Sequence, residues 1–260
     1  MATAKDIHVA PIKSADARAF VERWHYSGKA YPKSSLHFGA FLDRRLVGVM
    51  SYGDPLDRSK VLPLVRDTRW HDMLELNRMA MIDATPPNTE SRFIAITARL
   101  IRKHYPAIEW LLSFSDGCQC GDGTIYRAAG FLLTAIKRNV GMYQWRGEVF
   151  TTVGLNTSSA MRARFSALTG DTIQGAQDMV KHGATVLPGF QLRYILPLKP
   201  GVRDRLTVPV LPYSAIQEAG AGMYLGRKRA SEASKMRPPF QVGEDGAAPI
   251  PTLHSDRALE

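Results

Sequence analysis

The sequence contains few cysteines and no long hydrophobic run, and these absences exclude several classes of protein. The 260 residues include two cysteines, Cys118 and Cys120, which are too few for a disulfide framework or a four-ligand zinc site. Their Cys-x-Cys spacing could bind a soft metal, although two loop thiols need no such role. No apolar stretch reaches the ~18 residues of a membrane span, and no signal peptide is recognisable. We therefore expect a cytoplasmic protein that does not bind a membrane.

Basic residues outnumber acidic ones, which favours a polyanionic partner. The formal net charge is +10 at pH 7, from 34 Lys and Arg against 24 Asp and Glu. Residues 199–260 hold nine of the basic and seven of the acidic residues, so +8 of the charge lies in residues 1–198. A basic surface of this kind suits nucleic acid, although excess charge also serves solubility.

Composition divides the chain into a folded part and a C-terminal segment. With 45% hydrophobic residues the chain can bury one good core, which we assign to a single domain over residues 1–198. From Lys199 onward, Pro, Gly, Ala and Ser dominate apart from residues 213–224, and no amphipathic period is sustained. Residues 199–260 are therefore predicted to be extended and largely disordered.

The order of strand and helix patterns predicts the fold class. A strand, a helix and a hairpin are followed by strand, helix, strand, short helix and strand. This order predicts an α/β (α+β) fold in which a mixed, twisted sheet carries helices on both faces. Later in the chain, a helix capped by Asn156 and a helix near 172–181 are predicted. The predicted strands are 7–12, 37–42, 46–52, 75–82, 110–114, 142–145, 149–153 and 190–196.

The clearest helix is predicted over residues 90–104. Apolar or small residues recur there at helical spacing, while basic residues occupy the opposite face. Pro86 and Pro87 end the preceding strand, and Asn88 or Thr89 can cap the first exposed amides.

Asp116 and Tyr126 are predicted to lie at one edge of the sheet. Asp116 follows a strand that is apolar enough to be buried on both faces, and open α/β sheets bind ligands at that end of their strands. Its carboxylate could be a general base for an amine, a metal ligand or the cap of the following turn. Tyr126 lies in the first turn of the next helix, which Gly130 closes. Its hydroxyl could donate a proton, or its ring could only pack.

Ser91 and Arg78 are further candidates for a site. Ser91, near the N-terminus of the long helix, could hold a phosphate or carboxyl group or could simply cap the helix. Arg78 lies within an otherwise apolar strand, where a charge needs a partner. Because Glu75 is three residues away, we expect it on the opposite face of that strand and pair Arg78 with Asp116 or a ligand anion.

His25 and Tyr26 adjoin each other at the end of the first predicted helix, before a loop over residues 27–35. A histidine there could be structural, catalytic or metal-ligating. Loops beside a sheet edge often carry binding residues, and Lys29 and Lys33 could face an anionic ligand or only solvent.

Several short motifs occur in an order that resembles two related families. The helix with Tyr-x-x-x-Gly-Phe resembles the second half of the GCN5-related N-acetyltransferase (GNAT) fold, in which a tyrosine at this position often acts as general acid toward the departing thiolate. Over roughly residues 20–135 the chain is similar in more detail to the phage Mom family, which modifies adenine in DNA and shields the phage genome from restriction. The motifs are His25-Tyr26-Ser27-Gly28-Lys29, His37-Phe38-Gly39, Glu75-Leu76-x-Arg78, Pro87-Asn88-x-x-Ser91-Arg92, Ser113-Phe114-x-Asp116 and Gly123-Thr124-Ile125-Tyr126.

The resemblance implies a GNAT-like enzyme, a substrate and a set of site residues. The expected reaction adds a small acyl-derived, carbamoylmethyl-like group to the N6 amine of adenine, which is extruded from double-stranded DNA in the cytoplasm of a bacterial host. Asp116 would help to activate the amine or a metal, Tyr126 would donate a proton, and Arg78 and Ser91 would hold the donor. Tyr26, with His25, would line the pocket for the base or the metal. The implied cofactor-binding residues are Asn88, Ser91 and Arg92, and the implied iron ligands are His25, Tyr26 and Asp116.

One departure from the acetyltransferase pattern concerns the donor. Acetyltransferases of this fold hold the pyrophosphate of coenzyme A with a glycine-containing loop at the start of the long helix, whereas residues 86–92 contain no glycine. Backbone amides are harder to bring close to a pyrophosphate without glycine, so the donor could be acetyl-CoA or another small molecule. The alternative functions are a conventional N-acetyltransferase acting on a protein or small-molecule amine, and a DNA-binding module without catalysis. The oligomeric state is not predicted.

Overall fold

Strands and helices alternate along the chain much as the sequence predicts. The structure is a computed structural model that describes residues 2–118 and 121–222. The strands are β1 (His8–Pro11), β2 (Ser34–Leu42), β3 (Arg45–Gly53), β4 (Met73–Met81), β5 (Trp110–Asp116), β6 (Leu132–Arg138), β7 (Met142–Trp145), β8 (Glu148–Thr151), β9 (Thr185–Val186) and β10 (Phe190–Pro197).

Eight α-helices connect or flank these strands in the described residues. They are α1 (Ser14–Trp24), α2 (Arg58–Val61), α3 (Thr89–His104), α4 (Thr124–Ala128), α5 (Thr152–Thr157), α6 (Ser159–Thr169), α7 (Ala176–Lys181) and α8 (Ser214–Glu218). None of them is long and apolar enough to cross a membrane.

Seven strands form the main sheet in the order β1-β2-β3-β4-β5-β10-β6. Within this sheet β4 and β5 pair in parallel, and the other neighbours pair antiparallel. The order β1-α1-β2-β3 followed by β4-α3-β5-α4-β6 confirms the predicted GNAT-like arrangement of a mixed sheet. α3 occupies the predicted position, one residue longer than expected.

Helices cover both faces of the sheet, as predicted. On one face, Phe93, Ile94 and Ile101 of α3 are fully buried against residues such as Tyr52 of β3. On the other face, Val21 of α1 packs with other apolar residues, namely Ala17, Phe20, Phe41, Leu46, Val49 and Ala80. Each fully buried side chain of this size stabilises the fold by about 1.5–3 kcal/mol. The two faces are called the α3 face and the α1 face below.

One extra residue in β4 changes which side chains share a face. In the register with β3, Ser51 pairs with Arg78 and Tyr52 pairs with Leu76, so Asn77 is left as a β-bulge. A bulge reverses the alternation of side chains beyond it. Glu75 and Arg78 therefore lie on the same face, and the prediction that they lie on opposite faces was wrong.

β10 returns from the C-terminal part of the chain and lies between β5 and β6. A strand is predicted there from the sequence, but its position in the sheet is not. The intervening residues 139–189 form a three-stranded sheet in the order β8-β7-β9 together with α5, α6 and α7. This unit has its own core, which includes Leu155, Phe165 and Met179.

Two predicted boundaries in this unit were wrong because threonine and serine hydroxyls cap helices there. The hydroxyl of Thr151 accepts a hydrogen bond from the amide of Gly154, so β8 ends earlier than expected and α5, which was not predicted, begins at Thr152. Ser158, and not Asn156, caps the basic helix α6.

Residues 199–222 belong to the folded part, so the predicted start of the extended segment was wrong. Val202 and Ile216 are fully buried, and Leu206 forms a β-bridge with Val65. These apolar residues follow no helix or strand period because each packs separately on a core that already exists. Residues 223–260 lie outside the described residues.

Replacing Gly53 should destabilise the protein through backbone crowding. A Cβ at this position would overlap the carbonyl oxygen of Lys33 and lie 2.7 Å from the Cα of Ser34. Because backbone atoms cannot rotate aside, Gly53→Ala should lower the free energy of unfolding by about 1–3 kcal/mol. Urea denaturation at pH 7 measures this change. Gly141→Ala is the matched control, since its nearest neighbour would be Thr152 Oγ1 at 3.9 Å; equal stability of the two variants would contradict the prediction.

Candidate active site

The parallel pairing of β4 and β5 stops after three residue pairs, which opens a notch in the sheet. Pairing runs from Met73–Trp110 to Glu75–Leu112 and goes no further in the described chain. Residues 76–81 of β4 and 113–116 of β5 border the opening, which we call the notch. Backbone amide and carbonyl groups that face such an opening must bind water or a ligand.

The side chains along β5 alternate between the two faces at the notch. Leu111 belongs to the core on the α3 face, whereas Trp110 and Leu112 pack on the opposite side. Phe114 and Asp116 therefore lie on the α1 face, together with the other groups of that face. Ser113 lies on the α3 face, and its buried hydroxyl has no hydrogen-bond partner among the described residues.

Asp116 ends β5 at the rim of the notch. Its Oδ1 accepts a hydrogen bond from the backbone amide of Cys118 at 3.0 Å, so the carboxylate caps the following turn. Burial raises its pKa, and the hydrogen bonds from Cys118 oppose that rise in part. A carboxylate with a raised pKa is a better general base near neutral pH than an exposed one.

Arg78 lies across the notch from β5 and does not form the predicted ion pair with Asp116. Its Nε donates to the carbonyl oxygen of Lys29 at 3.0 Å, and its NH1 donates to that of Asn77 at 2.6 Å. The guanidinium carbon lies 5.5 Å from the centre of the Tyr31 ring. The bulge at Asn77 and the loop after α1 thus hold Arg78 in place with carbonyl groups.

Glu75 and Tyr31 complete a cluster around Arg78 that the sequence analysis missed as site residues. Burial raises the pKa of Glu75 to about 7, and a hydrogen bond from Asn77 and the charge of Arg78 oppose this rise. The hydroxyl of Tyr31 is buried and has no hydrogen-bond partner among the described residues. No sequence pattern reveals the bulge that places Glu75 and Arg78 on the same face. The position of Tyr31 in a loop before a strand is a weak signal of a site residue that could have been followed.

A small cavity on the α1 face reaches the same cluster. His37 Nδ1 and Ser51 Oγ lie 2.9 Å apart within it. The cavity is lined by Ser14, Ala17, Arg18, Val21, Ala30, Tyr31, Pro32, Ser34, His37, Ser51 and Arg78. Its lining is mostly polar, but Asp116 is not part of it.

His25 and Tyr26 lie at the C-terminal end of α1, as predicted. His25 is buried, its Nδ1 lies 2.8 Å from the hydroxyl of Ser27, and its ring centre lies 4.2 Å from that of Tyr26. Burial and the nearby charge of Arg78 lower the pKa of His25 to about 4. The imidazole is therefore neutral at pH 7. Tyr26 is 53% exposed.

The residues present do not fit the iron centre that the resemblance implies. Within residues 2–118 and 121–222, no group of three or more His, Cys, Asp or Glu side chains is arranged to hold a metal ion. Nδ1 of His25 is already paired with Ser27, and Asp116 accepts a backbone amide. Cys120, one half of the Cys-x-Cys pair, lies outside the described residues.

The N-terminus of α3 faces the same edge of the sheet as Asp116. The first amides of a helix lack acceptors within the helix and favour an anion. Asn88 adopts a left-handed conformation with φ of 67°, which a glycine would otherwise supply, and its side chain makes no capping bond. The hydroxyl of Ser91 donates to the carbonyl oxygen of Asn88 at 3.1 Å. The loop thus turns without glycine, and the predicted cap by Asn88 or Thr89 is not formed, because the Thr89 hydroxyl donates to the carbonyl oxygen of Pro86.

Arg92 lies beside Ser91 in sequence but is held at a different place. Its NH2 donates to the carbonyl oxygen of Lys5 at 3.5 Å, and its charge acts on Asp6. Consecutive helical residues point about 100° apart, so the guanidinium is directed to the N-terminal segment. The structure therefore does not bring Arg92 together with the other predicted cofactor-binding residues.

Tyr126 lies in α4 on the α3 face. Its ring is 8% exposed and packs at 5.5 Å from Phe131 and 5.3 Å from Tyr194. Gly130 follows α4 with φ of 86°, as predicted, and the amide of Phe131 donates to the carbonyl oxygen of Tyr126. Packing therefore fixes the tyrosine, whether or not it also donates a proton.

The stability of the protein should depend on the protonation of Glu75. Because the folded pKa is about 7 and the unfolded value 4.5, folding favours the neutral carboxyl, and stability is lost as pH rises from 4.5 through 7. Glu75→Gln should therefore match the wild type near pH 4.5 and exceed it by about 2–3 kcal/mol at pH 8. Urea denaturation at both pH values measures this. Glu22→Gln, at an exposed position of α1, should show no such gain; a Glu75→Gln variant that gains nothing at pH 8 would refute the prediction.

Comparison with known proteins gives the family. The model of the Mom protein family matches residues 6–215. The methylcarbamoylase Mom of Escherichia phage Mu is 32% identical over 213 residues, which cover 80% of this chain and 84% of the relative. Among solved structures, an acetyltransferase from Bacillus subtilis in complex with CoA has a TM-score of 0.39 at 11% identity, and the alignment covers 74% of this chain and 98% of that one. An acetyltransferase from Salmonella typhimurium with its cofactor acetyl-CoA has a TM-score of 0.42 at 9% identity, covering 75% and 95%. By the family match and the phage Mu relative, the chain belongs to the Mom protein family.

Proposed function

We propose that this protein transfers a small acyl-derived, carbamoylmethyl-like group to the N6 amine of adenine in DNA and so protects that DNA from restriction endonucleases. The observation that carries the proposal is the match to the Mom family over residues 6–215. The phage Mu relative is named for methylcarbamoyl transfer. The notch supports the proposal, because a half-buried carboxyl group, a tyrosine-bearing helix and a helix N-terminus lie at one edge of the sheet.

Asp116 accepts the proton of the amine in this proposal. The amine nitrogen forms a bond to the carbon of the transferred group and loses one proton, while the leaving group departs from the donor with the bonding electron pair. The raised pKa of Asp116 supports its role as the base. Tyr126 donates a proton to the leaving group from the first turn of α4.

The N-terminus of α3 holds the donor. The free amides of its first turn, with Asn88 and Ser91, suit a phosphate or carboxylate. Arg78 adds a positive charge on the other side of the notch. These features suit a small anionic donor. Displacement on acetyl-CoA itself would transfer an acetyl group, so a carbamoylmethyl-like product requires a donor that already carries that group on its leaving group.

Double-stranded DNA is the partner. The N6 amine lies inside the base stack, so the adenine must be extruded before it can react. The net charge of +10 favours binding to the phosphate backbone, and His25 with Tyr26 lines the approach to the notch. The reaction takes place in the cytoplasm of the bacterial host, where that DNA lies.

Loss of the Tyr126 hydroxyl should abolish most of the modification. Plasmid DNA from a bacterial host that expresses the wild type should yield a heavier deoxyadenosine in nucleoside mass spectrometry. Tyr126→Phe should lower the rate of its formation about 100-fold or more, because the proton donor is lost while the ring still packs. Tyr143→Phe is the matched control, since Tyr143 is buried to the same degree, 7% exposed against 8%, in the core of residues 139–189.

Two outcomes would contradict the proposal. Unchanged nucleosides in cells that contain folded wild-type protein would refute DNA modification. Equal activity of Tyr126→Phe and Tyr143→Phe would refute the role of Tyr126 while leaving the reaction itself in place.

A further inference from the structure

Phe114 is an exposed aromatic residue in the interior of the sheet. It lies in β5, the fifth of seven strands, and 44% of it is exposed, whereas Ser113 and Ser115 on either side are 0% and 6% exposed. A single exposed apolar residue is ordinary on a protein surface. Phe114, however, lies on the wall of the notch, on the same face of the sheet as Glu75 and Arg78.

The register of the strands defines the shape of the notch on the α1 face. Glu75 pairs with Leu112 at the last point where β4 and β5 meet, so it forms the floor. Phe114 is the next side chain on that face of β5, and Arg78 is the next on that face of β4 because of the bulge at Asn77. A planar ligand that enters from the α1 face would therefore lie between Phe114 and Arg78 with its edge toward Glu75.

Tyr31 brings an unused hydrogen-bond donor to this floor. Its ring lies beside the Arg78 guanidinium, and its buried hydroxyl has no partner in the described part of the chain. Burial and then the negative charge of Glu75 raise the pKa of Tyr31. A buried hydroxyl without a partner is unfavourable, so a ligand atom that accepts its hydrogen bond would be bound there.

We propose that the notch is the pocket for the extruded base, with Phe114 as its stacking surface and with Glu75 and Tyr31 reading the Watson–Crick edge of adenine. This inference rests on the proposed function, and it names the residues that bind the acceptor. Glu75 accepts a hydrogen bond from the N6 amine, and Tyr31 donates one to N1.

The hydrogen-bonding groups of Glu75 and Tyr31 discriminate among the four bases. Adenine presents a donor at N6 beside an acceptor at N1, which complements an acceptor and a donor in the pocket. Cytosine presents the same pair. Guanine and thymine present an acceptor and a donor in the reverse order, so that an acceptor would face Glu75 and a donor would face Tyr31. When Glu75 is protonated it can also pair with both N6 and N1 through its own two oxygens. The stacking surface adds affinity for any base, because every base has an aromatic face.

Binding to a duplex with a pre-opened site tests the stacking surface. The probes are a duplex with adenine opposite an abasic site, from which the base is easily extruded, and the same duplex fully paired. The wild type should prefer the first, as measured by fluorescence anisotropy. Phe114→Leu should lower this preference about 10-fold, and Phe114→Tyr should keep it. The matched control is Tyr105→Leu at the end of α3, where the tyrosine is 43% exposed.

A second variant separates recognition from folding. Tyr31→Phe removes a buried hydroxyl that has no partner, so the variant should unfold at the same or a higher urea concentration than the wild type. The same change should lower the preference for adenine over guanine opposite the abasic site about 5-fold. If Tyr31 only supported the fold, its replacement would not lower the preference for adenine while leaving the urea concentration of unfolding the same or higher.

The outcomes also distinguish this inference from the proposed function. Modified nucleosides in the wild type, together with unchanged binding by Phe114→Leu and Tyr31→Phe, would overturn the pocket and leave DNA modification standing. A wild type without preference for the pre-opened duplex would overturn the pocket as well. Unmodified nucleosides, with adenine binding lost in Phe114→Leu, would support the pocket and refute the transfer reaction.

Discussion

The parting of β4 and β5 is the constraint on which the site depends. β3 binds β4 along most of its length and β10 does the same for β5, so each strand follows a different neighbour as the sheet twists. After Glu75–Leu112 the two strands can no longer reach each other. The bulge at Asn77 then turns Arg78 onto the α1 face. The side chain of Asn77 secures this geometry, because its Oδ1 accepts a hydrogen bond from the Ser34 hydroxyl and its Nδ2 donates one to the Asp54 carbonyl oxygen.

The charge of Arg78 organises the electrostatics of the cluster. It helps to keep His25 neutral, and it limits the rise in the pKa of Glu75 that burial causes. At neutral pH the cluster therefore holds one permanent positive charge, a neutral imidazole and a carboxyl group that is close to its midpoint of titration. Such a cluster can bind an uncharged nucleobase, whereas two buried carboxylates in the same place would repel the electron-rich edge of that nucleobase.

Local patterns predict the elements, and long-range pairing decides the site. The amphipathic period of α3, the turn at Gly130 and the position of Asp116 after an apolar strand all follow from adjacent residues, and the structure agrees with each. The bulge at Asn77 does not, because it arises from the register between two strands and alters no residue pattern. The insertion of β10 between β5 and β6 likewise depends on contacts across residues 139–189. Arg78 is predicted as a site residue, but its grouping with Tyr31 and Glu75 follows from these pairings and not from a local residue pattern.

The notch passes through the sheet, and its two faces divide the proposed reaction. Tyr126 and the first turn of α3 lie on the α3 face, whereas Asp116 and Phe114 lie on the α1 face. A donor held at the α3 N-terminus and a base stacked on Phe114 would approach the opening from opposite sides. The proton acceptor then lies on the side of the amine, and the proton donor lies on the side of the leaving group. This separation lets each group act where it is needed, because a general acid or base must lie within hydrogen-bond reach of the proton that it transfers.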